Sequence, residues 1–220
     1  MDQHKSTLYR VILTLEKRGF ITRSDEDGKY CLGFKQLEIT KNMLARSSLR
    51  TAAVTEMNKL SEKFGDTVNL CTLDDDQVLY VDIIEGTHAL RMTDSIGSKV
   101  PFYATAAGKA MVAFLPEENR TKLLRQDDRK AFTRFTMCDR TQLEEDLEKT
   151  RKLGFAVDRE EMVEGARCVA APIFDMFGEV KGSISLSGAK HRFLDSDLLD
   201  IAAHVTEAAH QISRKLGFSD

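Results

Sequence analysis

The succession of strand-like and helix-like segments is the feature that most constrains the fold of this 220-residue chain. From residue 67 onward, hydrophobic patterns of period 2 and period 3.6 follow one another in the order β-β-β-α-α-α-β-β-β-α. Because hairpins are mixed with helices in this order, the pattern predicts an α+β fold with a mainly antiparallel sheet.

Turn and capping residues mark the ends of these segments. Strand-like residues 67–73 and 77–85 flank an acidic turn, which predicts a hairpin. Thr141 and Glu144 have capping-box spacing at the start of a helix that ends at Gly154. The other predicted segments are a helix from 48 to Gly65, a strand at 89–92, helices at 104–115 and 117–125, strands at 155–158, 168–175 and 179–188, and a helix at 195–217 capped by Asp195 or Ser196.

Composition and charge limit the class of protein. The chain is 42% hydrophobic and 30% charged, and it has no apolar run of membrane-spanning length and no leader pattern, so we expect a globular protein of the cytoplasm. Its four cysteines form no CxxC pair, which argues against a zinc ribbon and a disulfide framework. Residues 1–50 carry a net charge of +4 and the remainder −7, a weak sign of a basic nucleic-acid reader joined to an acidic domain.

The first thirty-three residues have the pattern of a helix followed by a hairpin. Leu8, Val11, Ile12 and Leu15 form one apolar stripe, and Gly19 ends the helix. Strand-like residues 20–23 and 29–32 then flank an Asp-Gly turn. A helix followed by a two-stranded hairpin is typical of the second half of a winged helix-turn-helix. Residues 34–46 predict a further helix that links this part to the rest.

One strand presents three hydroxyl groups on a single face. Ser183, Ser185 and Ser187 alternate with apolar residues, and a tight turn at 175–178 would place Cys168 opposite Ser185. A polar patch in or beside the core and an ordinary solvent-facing strand both fit this pattern, and the spacing alone favours the solvent-facing strand.

The start of a predicted helix is a second candidate site. Thr105 can cap a helix whose first residues, Ala106, Ala107 and Gly108, are nearly free of side chains. Their backbone N–H groups are suited to a carboxylate or phosphate, although close helix packing explains small residues equally well.

Catalysis and metal binding find little support. The five histidines lack metal-ligand spacing, and a Cys168–His191 nucleophile pair rests on no local motif. Glu160, Glu161 and Glu164 are interpreted as a solvated acidic turn. We therefore expect no enzyme activity, no metal and no cofactor.

Taken together, the segments resemble the IclR family of bacterial transcriptional regulators over essentially the whole chain. The resemblance is carried by HKSTLYRVILTLEKRGFI, KYCLGFKQLEI, GDTVNLCTLDDDQVLYVDIIEG, GSKVPFYATAAGKAMVAFLP and GFAVDREEMVEGARCVAAPIFDMFGEVKGSISLSG.

The resemblance implies a DNA reader joined by a helix to a GAF-like domain that binds a small carboxylate effector. The domains would be an incomplete winged helix-turn-helix at 1–33, a linker helix at 34–47, and an effector-binding and oligomerisation domain at 48–220. A keto acid or a sugar acid is the expected effector, with a keto-deoxy sugar acid favoured by the stretch GARCVAAPIFDMFG. The positions that match the family's effector contacts are Ala106, Ala107, Asp158, Cys168, Ser185 and Ser187.

The same resemblance implies operator DNA as a partner and assembly as a dimer or a dimer of dimers. Lys5, Ser6, Thr7, Tyr9 and Arg10 would face the major groove, with Arg23 and Lys29 at the phosphates. A complete winged helix has two earlier helices of about thirty residues that cover the Leu8 stripe, and we expect this chain to lack them. The alternative function is therefore a sensor or oligomerisation module without effective DNA binding.

Overall fold

The computed structural model describes residues 5–24, 28–39, 48–88, 94–125 and 128–219. The chain divides into two units, residues 1–47 and 48–220. The predicted strand at 89–92 lies outside the described residues. The predicted linker helix lies partly outside them, with residues 35–39 helical and 40–47 not described.

The first unit contains a helix and a hairpin, as predicted. Helix α1 spans Lys5–Lys17, and Gly19 ends it in the left-handed conformation at φ +76. Strands β1 (Ile21–Arg23) and β2 (Tyr30–Leu32) pair antiparallel, with Thr22 opposite Cys31. Within the described part of the chain, α1 buries none of its residues.

The second unit is built on a six-stranded antiparallel sheet with the strand order β5-β4-β3-β8-β7-β6. The α+β prediction is thus confirmed. The strands are β3 (Thr67–Asp74), β4 (Gln77–Ile84), β5 (Lys99–Pro101), β6 (Ala156–Arg159), β7 (Ala166–Phe174) and β8 (Val180–Ala189). The helices are α2 (Ser48–Phe64), α3 (Ala106–Val112), α4 (Glu117–Leu124), α5 (Arg140–Leu153) and α6 (Leu198–Lys215), with two 3-10 helices at Phe102–Ala104 and Lys190–Arg192.

The two faces of the sheet carry separate cores. On one face, aliphatic residues such as Val68, Leu186 and Val169 pack against α2 and α6. On the other face, α3, its preceding 3-10 helix and α5 cover Tyr80, Cys71 and their neighbours. Because side chains alternate along a strand, every second residue of β3, β7 and β8 lies beneath α3.

Several predicted boundaries were wrong. Strand β5 was not predicted, since a stretch of three residues is too short for a periodic signal. Helix α5 begins at Arg140, and Asp139 caps it through the N–H of Gln142, so Thr141 is not the cap. Asp195 and Ser196 do not cap the last helix, which begins at Leu198. The Asp195 carboxylate instead accepts a hydrogen bond from Arg167 at 3.0 Å.

Candidate functional site

The three hydroxyls of β8 lie inside the protein. Ser183, Ser185 and Ser187 have exposed fractions of 0%, 3% and 4%, so the interpretation of a solvent-facing strand was wrong. The face was predicted correctly from the alternation, but the sequence does not reveal that α3 covers it.

The predicted register of this hairpin was also wrong, by one residue pair along the face. Cys168 lies opposite Ser187, and Ala170 lies opposite Ser185. The loop that joins β7 to β8 contains five residues instead of four, because Phe174 pairs with Val180. This longer loop shifts the pairing by one residue, and a bulge between Ile173 and Phe174 shifts it by one more. The partner of Cys168 is therefore two residues further along β8 than predicted.

The corrected register aligns polar residues across neighbouring strands. Asp158 on β6 pairs with Cys168 on β7, which pairs with Ser187 on β8, which pairs with Thr67 on β3. Ser187 also hydrogen-bonds the Cys168 sulfur. Three of the residues predicted as effector contacts, Asp158, Cys168 and Ser187, are therefore brought together. We call this face of the sheet the polar face; it extends from Asp158 to Thr67 and includes Ser183 and Ser185.

Asn69 on β3 joins the polar face and was missed from the sequence. Its Nδ2 donates to Ser185 Oγ at 3.2 Å and to Ser187 Oγ at 3.1 Å. The residue is 1% exposed, and its Oδ1 has no hydrogen-bond partner among the described residues. An asparagine between Val68 and Leu70, alternating with buried aliphatic residues, was the signal available in the sequence.

Helix α3 packs on the strands that carry the polar face. Thr105 is its cap, as predicted, and its Oγ1 accepts from the N–H of Gly108 at 3.2 Å. Ala106 and Ala107 form the buried first turn, where a helix leaves its own N–H groups without internal partners. A Cβ on Gly108 would lie 2.4 Å from Phe102 Cα, so close packing accounts for this glycine.

A buried ion-pair network lies beside Asp158, and sequence reasoning missed it. Lys109 is 0% exposed, and its Nζ donates to Glu161 Oε1 at 2.7 Å, Glu161 Oε2 at 2.8 Å and Val157 O at 2.8 Å. Asp146 Oδ2 lies 3.0 Å from the same nitrogen. Burial lowers the pKa of Lys109, but Glu161 and Asp146 raise it more, so its pKa lies above the ordinary value and the amine is charged.

The interpretation of residues 160–164 as a solvated turn was therefore wrong for two of the three glutamates. Glu161 is 2% exposed and pairs with Lys109, while Glu160 is buried and accepts from the N–H of Gly165 at 3.0 Å. Glu164 remains exposed. The signal available in the sequence was Lys109, a single lysine among the small apolar residues 106–113, which indicates that a buried acid pairs with it.

Asp158 titrates near neutral pH. Burial, followed by the charge of Glu161, raises the pKa of its carboxyl from 3.8 to about 7, against the opposing effect of Lys109. Its Oδ1 accepts from the N–H of Glu161 at 2.7 Å. The group can thus be neutral or charged under physiological conditions.

The Cys168 thiol lacks the environment of a catalytic nucleophile. Burial and the neighbouring Asp158 raise its pKa well above the ordinary value, whereas reactive thiols have a lowered pKa. His191 lies exposed in the second 3-10 helix. On the same face of the sheet, the Tyr80 hydroxyl on β4 hydrogen-bonds Asp94, and burial raises the pKa of both groups.

The residues predicted to contact DNA lie in the first unit. Lys5, Ser6, Thr7, Tyr9 and Arg10 are all exposed on the first two turns of α1. Helical spacing places most of them away from the apolar stripe, of which Leu8, Val11 and Leu15 are exposed and Ile12 is half-buried. Arg23 Nε donates to Gly28 O at 3.2 Å within the hairpin, and Lys29 is exposed beside it.

Comparison with known proteins identifies the family. Residues 41–214 match the family model described as "Bacterial transcriptional regulator IclR C-terminal". The transcriptional repressor IclR of Escherichia coli (strain K12) is 36% identical over 214 residues, which cover 96% of this chain and 78% of that protein. The chain belongs to the IclR family of bacterial transcriptional regulators.

Further members of the IclR family match in sequence and structure. The regulator KdgR of Escherichia coli (strain K12) is 33% identical over 216 residues, 98% of this chain and 82% of its own length. The crystal structure of Thermotoga maritima IclR superposes with a TM-score of 0.82 at 34% identity, covering 99% of this chain and 87% of that one. The relatives carry the names of regulators and repressors and not of enzymes. No helix among the described residues is long and apolar enough to cross a membrane.

Proposed function

We propose that this IclR-family chain is a DNA-binding regulator controlled by a small carboxylate effector, a keto acid or a sugar acid, which binds on the polar face of the second unit. The observation that carries the proposal is the burial of hydroxyl, thiol, amide and carboxyl groups side by side on one sheet face beneath α3. Such groups lower stability in a core unless they are satisfied, so their accumulation favours a ligand site.

The available donors and acceptors suit an acid with a second oxygen function. The Ser185 and Ser187 hydroxyls accept from Asn69 and can donate to ligand oxygens. Ala106 and Ala107 are proposed to hold the carboxylate through their N–H groups. Asp158, when protonated, adds a donor without repelling an anion.

One solved relative supports this class of effector. An IclR homologue of Microbacterium hydrocarbonoxydans was solved in complex with 4-hydroxybenzoate, also a small carboxylate, and superposes with a TM-score of 0.82 at 22% identity, covering 96% of this chain and 85% of that one.

The Ser185→Ala variant tests the site. Loss of one neutral hydrogen bond of about 0.5–1.5 kcal/mol weakens keto-acid affinity about two- to tenfold while the fold is retained. Calorimetric titration measures the affinity, after thermal shift against a panel of keto and sugar acids has selected the probe.

The control for this variant is Ser213→Ala. Ser213 is buried on α6, on the other side of the sheet, and its Oγ donates to Ala209 O. We expect this variant to lose stability but to keep the affinity. Unchanged affinity in Ser185→Ala would contradict the proposed role.

The alternative function is a sensor that does not bind DNA, and the exposed side chains of Leu8, Val11 and Leu15 favour it. A measurement of operator binding separates this alternative from the proposed function. For a DNA-binding protein, a plot of the logarithm of affinity against the logarithm of salt concentration has a negative slope of about 0.9 per phosphate contact. The Arg23→Ala variant is expected to reduce that slope by about 1 in gel-shift titrations. A shallow slope without operator preference would support the sensor. We also propose a dimer or dimer of dimers, which light scattering measures.

A further inference from the structure

Two buried polar atoms of the polar face have no hydrogen-bond partner within the described residues. They are Asn69 Oδ1 and Ser183 Oγ, on residues that are 1% and 0% exposed. A buried polar group left without a partner costs about 1–3 kcal/mol. Two such groups on one face indicate a place where a partner is supplied from outside the protein.

The sheet register makes these two residues neighbours. Asn69 pairs with Ser185, and Ser183 is the next residue of β8 on the same face, opposite Cys71. Residues in this diagonal relation have Cα atoms roughly 7–8 Å apart, with the side chains somewhat closer. One ligand atom between them can therefore reach both side chains.

The chemistry of the two atoms restricts that ligand atom. Asn69 Nδ2 is already engaged, because it donates to Ser185 Oγ and Ser187 Oγ. In this orientation of the amide, the remaining Oδ1 accepts, so its matching partner is a donor such as a hydroxyl and not a carboxylate or ketone oxygen. The Ser183 hydroxyl can donate or accept. A ligand hydroxyl satisfies both by donating to Asn69 and accepting from Ser183.

We infer that Asn69 and Ser183 bind a hydroxyl group of the effector, which makes the effector a hydroxylated acid in preference to an unsubstituted keto acid. The inference rests on the proposed function, since it adds a third contact to the carboxylate and carbonyl contacts proposed above. The spacing of strands is about 4.8 Å, so the polar residues from Asp158 on β6 to Asn69 on β3 extend over roughly 14 Å. This length suits an acid of several carbon atoms.

The test compares acids matched in carbon number, with and without hydroxyl groups. The probes are pyruvate against 3-hydroxypyruvate, 2-oxobutanoate against 4-hydroxy-2-oxobutanoate, and 2-oxohexanoate against 2-keto-3-deoxygluconate. Calorimetry on the full chain gives the affinity ratio within each pair. We expect a hydroxylated probe to bind about tenfold more tightly than its partner, as satisfaction of a buried acceptor implies.

Ser183→Ala is the sharpest variant, because its Oγ has no partner in the described structure and its loss disturbs no internal hydrogen bond. The expected result is that the affinity ratio falls to within about twofold of one, while the melting temperature without ligand is unchanged or higher. Asn69→Leu, which retains the volume, is expected to abolish the same preference. Ser185→Ala is the comparison variant and should weaken both members of a pair.

Three outcomes are distinguishable. Loss of the ratio in Ser183→Ala and Asn69→Leu supports the inference. A wild-type protein that does not favour hydroxylated probes, or a ratio that survives in both variants, overturns it, and the proposed function stands if Ser185→Ala still weakens both members. Failure of every probe to bind overturns the inference and the effector part of the proposed function together.

Discussion

Replacing Lys109 with methionine removes the ammonium group that contacts the buried Glu161 carboxylate. The substitution preserves most of the side-chain volume, so the main change is electrostatic. In the native protein both oxygens of Glu161 accept from Lys109, and the pair is enclosed at 0% and 2% exposure. Breaking a buried ion pair by removing one partner costs about 3–5 kcal/mol. Because domains are stable by only about 5–15 kcal/mol, the expected loss is a large part of the total.

The loss depends on pH in a defined direction. Burial raises the folded-state pKa of Glu161 above its ordinary value of 4.5 even though Lys109 lowers it, so removing the ammonium raises that pKa further. The folded state then binds more protons than the unfolded state, and stability falls as pH rises above about 4.5, by up to 1.4 kcal/mol per pH unit. Lys109→Met should therefore be more strongly destabilised at pH 8 than at pH 5.

Urea denaturation at both pH values measures these free energies of unfolding. The double variant Lys109→Met/Glu161→Gln removes both partners and should regain most of the lost stability. The matched control is Lys149→Met, because Lys149 is exposed on α5 and its loss should change stability by no more than about 0.5 kcal/mol. A cost below about 1 kcal/mol for Lys109→Met, or a double variant no more stable than the single one, would refute the reasoning.

Two further predictions concern the pH dependence of stability and effector binding, and the close packing of α3 against Phe102. The Asp158 carboxyl, with a pKa raised to about 7, faces the charges of Glu161 and Lys109. An acid with a raised folded-state pKa stabilises the fold when it is protonated, so the free energy of unfolding should fall between pH 4 and 7. Asp158→Asn should reduce that pH dependence in denaturation curves. Keto-acid affinity should likewise fall as pH rises from 6 to 8, and less so in the variant; equal slopes would refute the assignment. Gly108→Ala places a Cβ 2.4 Å from Phe102 Cα and should cost about 1–3 kcal/mol in thermal unfolding, and an unchanged melting temperature would contradict the packing described.

The sequence predicts the secondary structure of this protein better than it predicts which polar residues are buried. Alternation in β8 placed the three serines on one face, and Thr105 was recognised as a cap, because both follow from local backbone geometry. Whether that face is covered depends on α3, which is distant in sequence from β8. The hydrophobic pattern of a strand does not identify the element that packs on it.

Long-range pairing accounts for the remaining errors. The bulge at Ile173 and the five-residue loop changed which residue faces Cys168, although the face itself was predicted correctly. Lys109 and Glu161 are 52 residues apart and form their ion pair only in the folded state. Asn69 was missed because one asparagine in a strand has no distinctive spacing, and its role depends on two serines of another strand.

A crystal structure of the chain with a bound keto or sugar acid tests the central claim most directly. The account predicts ligand density on the polar face, with oxygen atoms within hydrogen-bonding distance of Ser185, Ser187 and the N–H groups of Ala106 and Ala107. An open cleft of about 560 Å³ between α4 and α5, lined by Arg120 and other charged residues, offers a different location. Ligand bound in that cleft, with the polar face empty, would contradict the account.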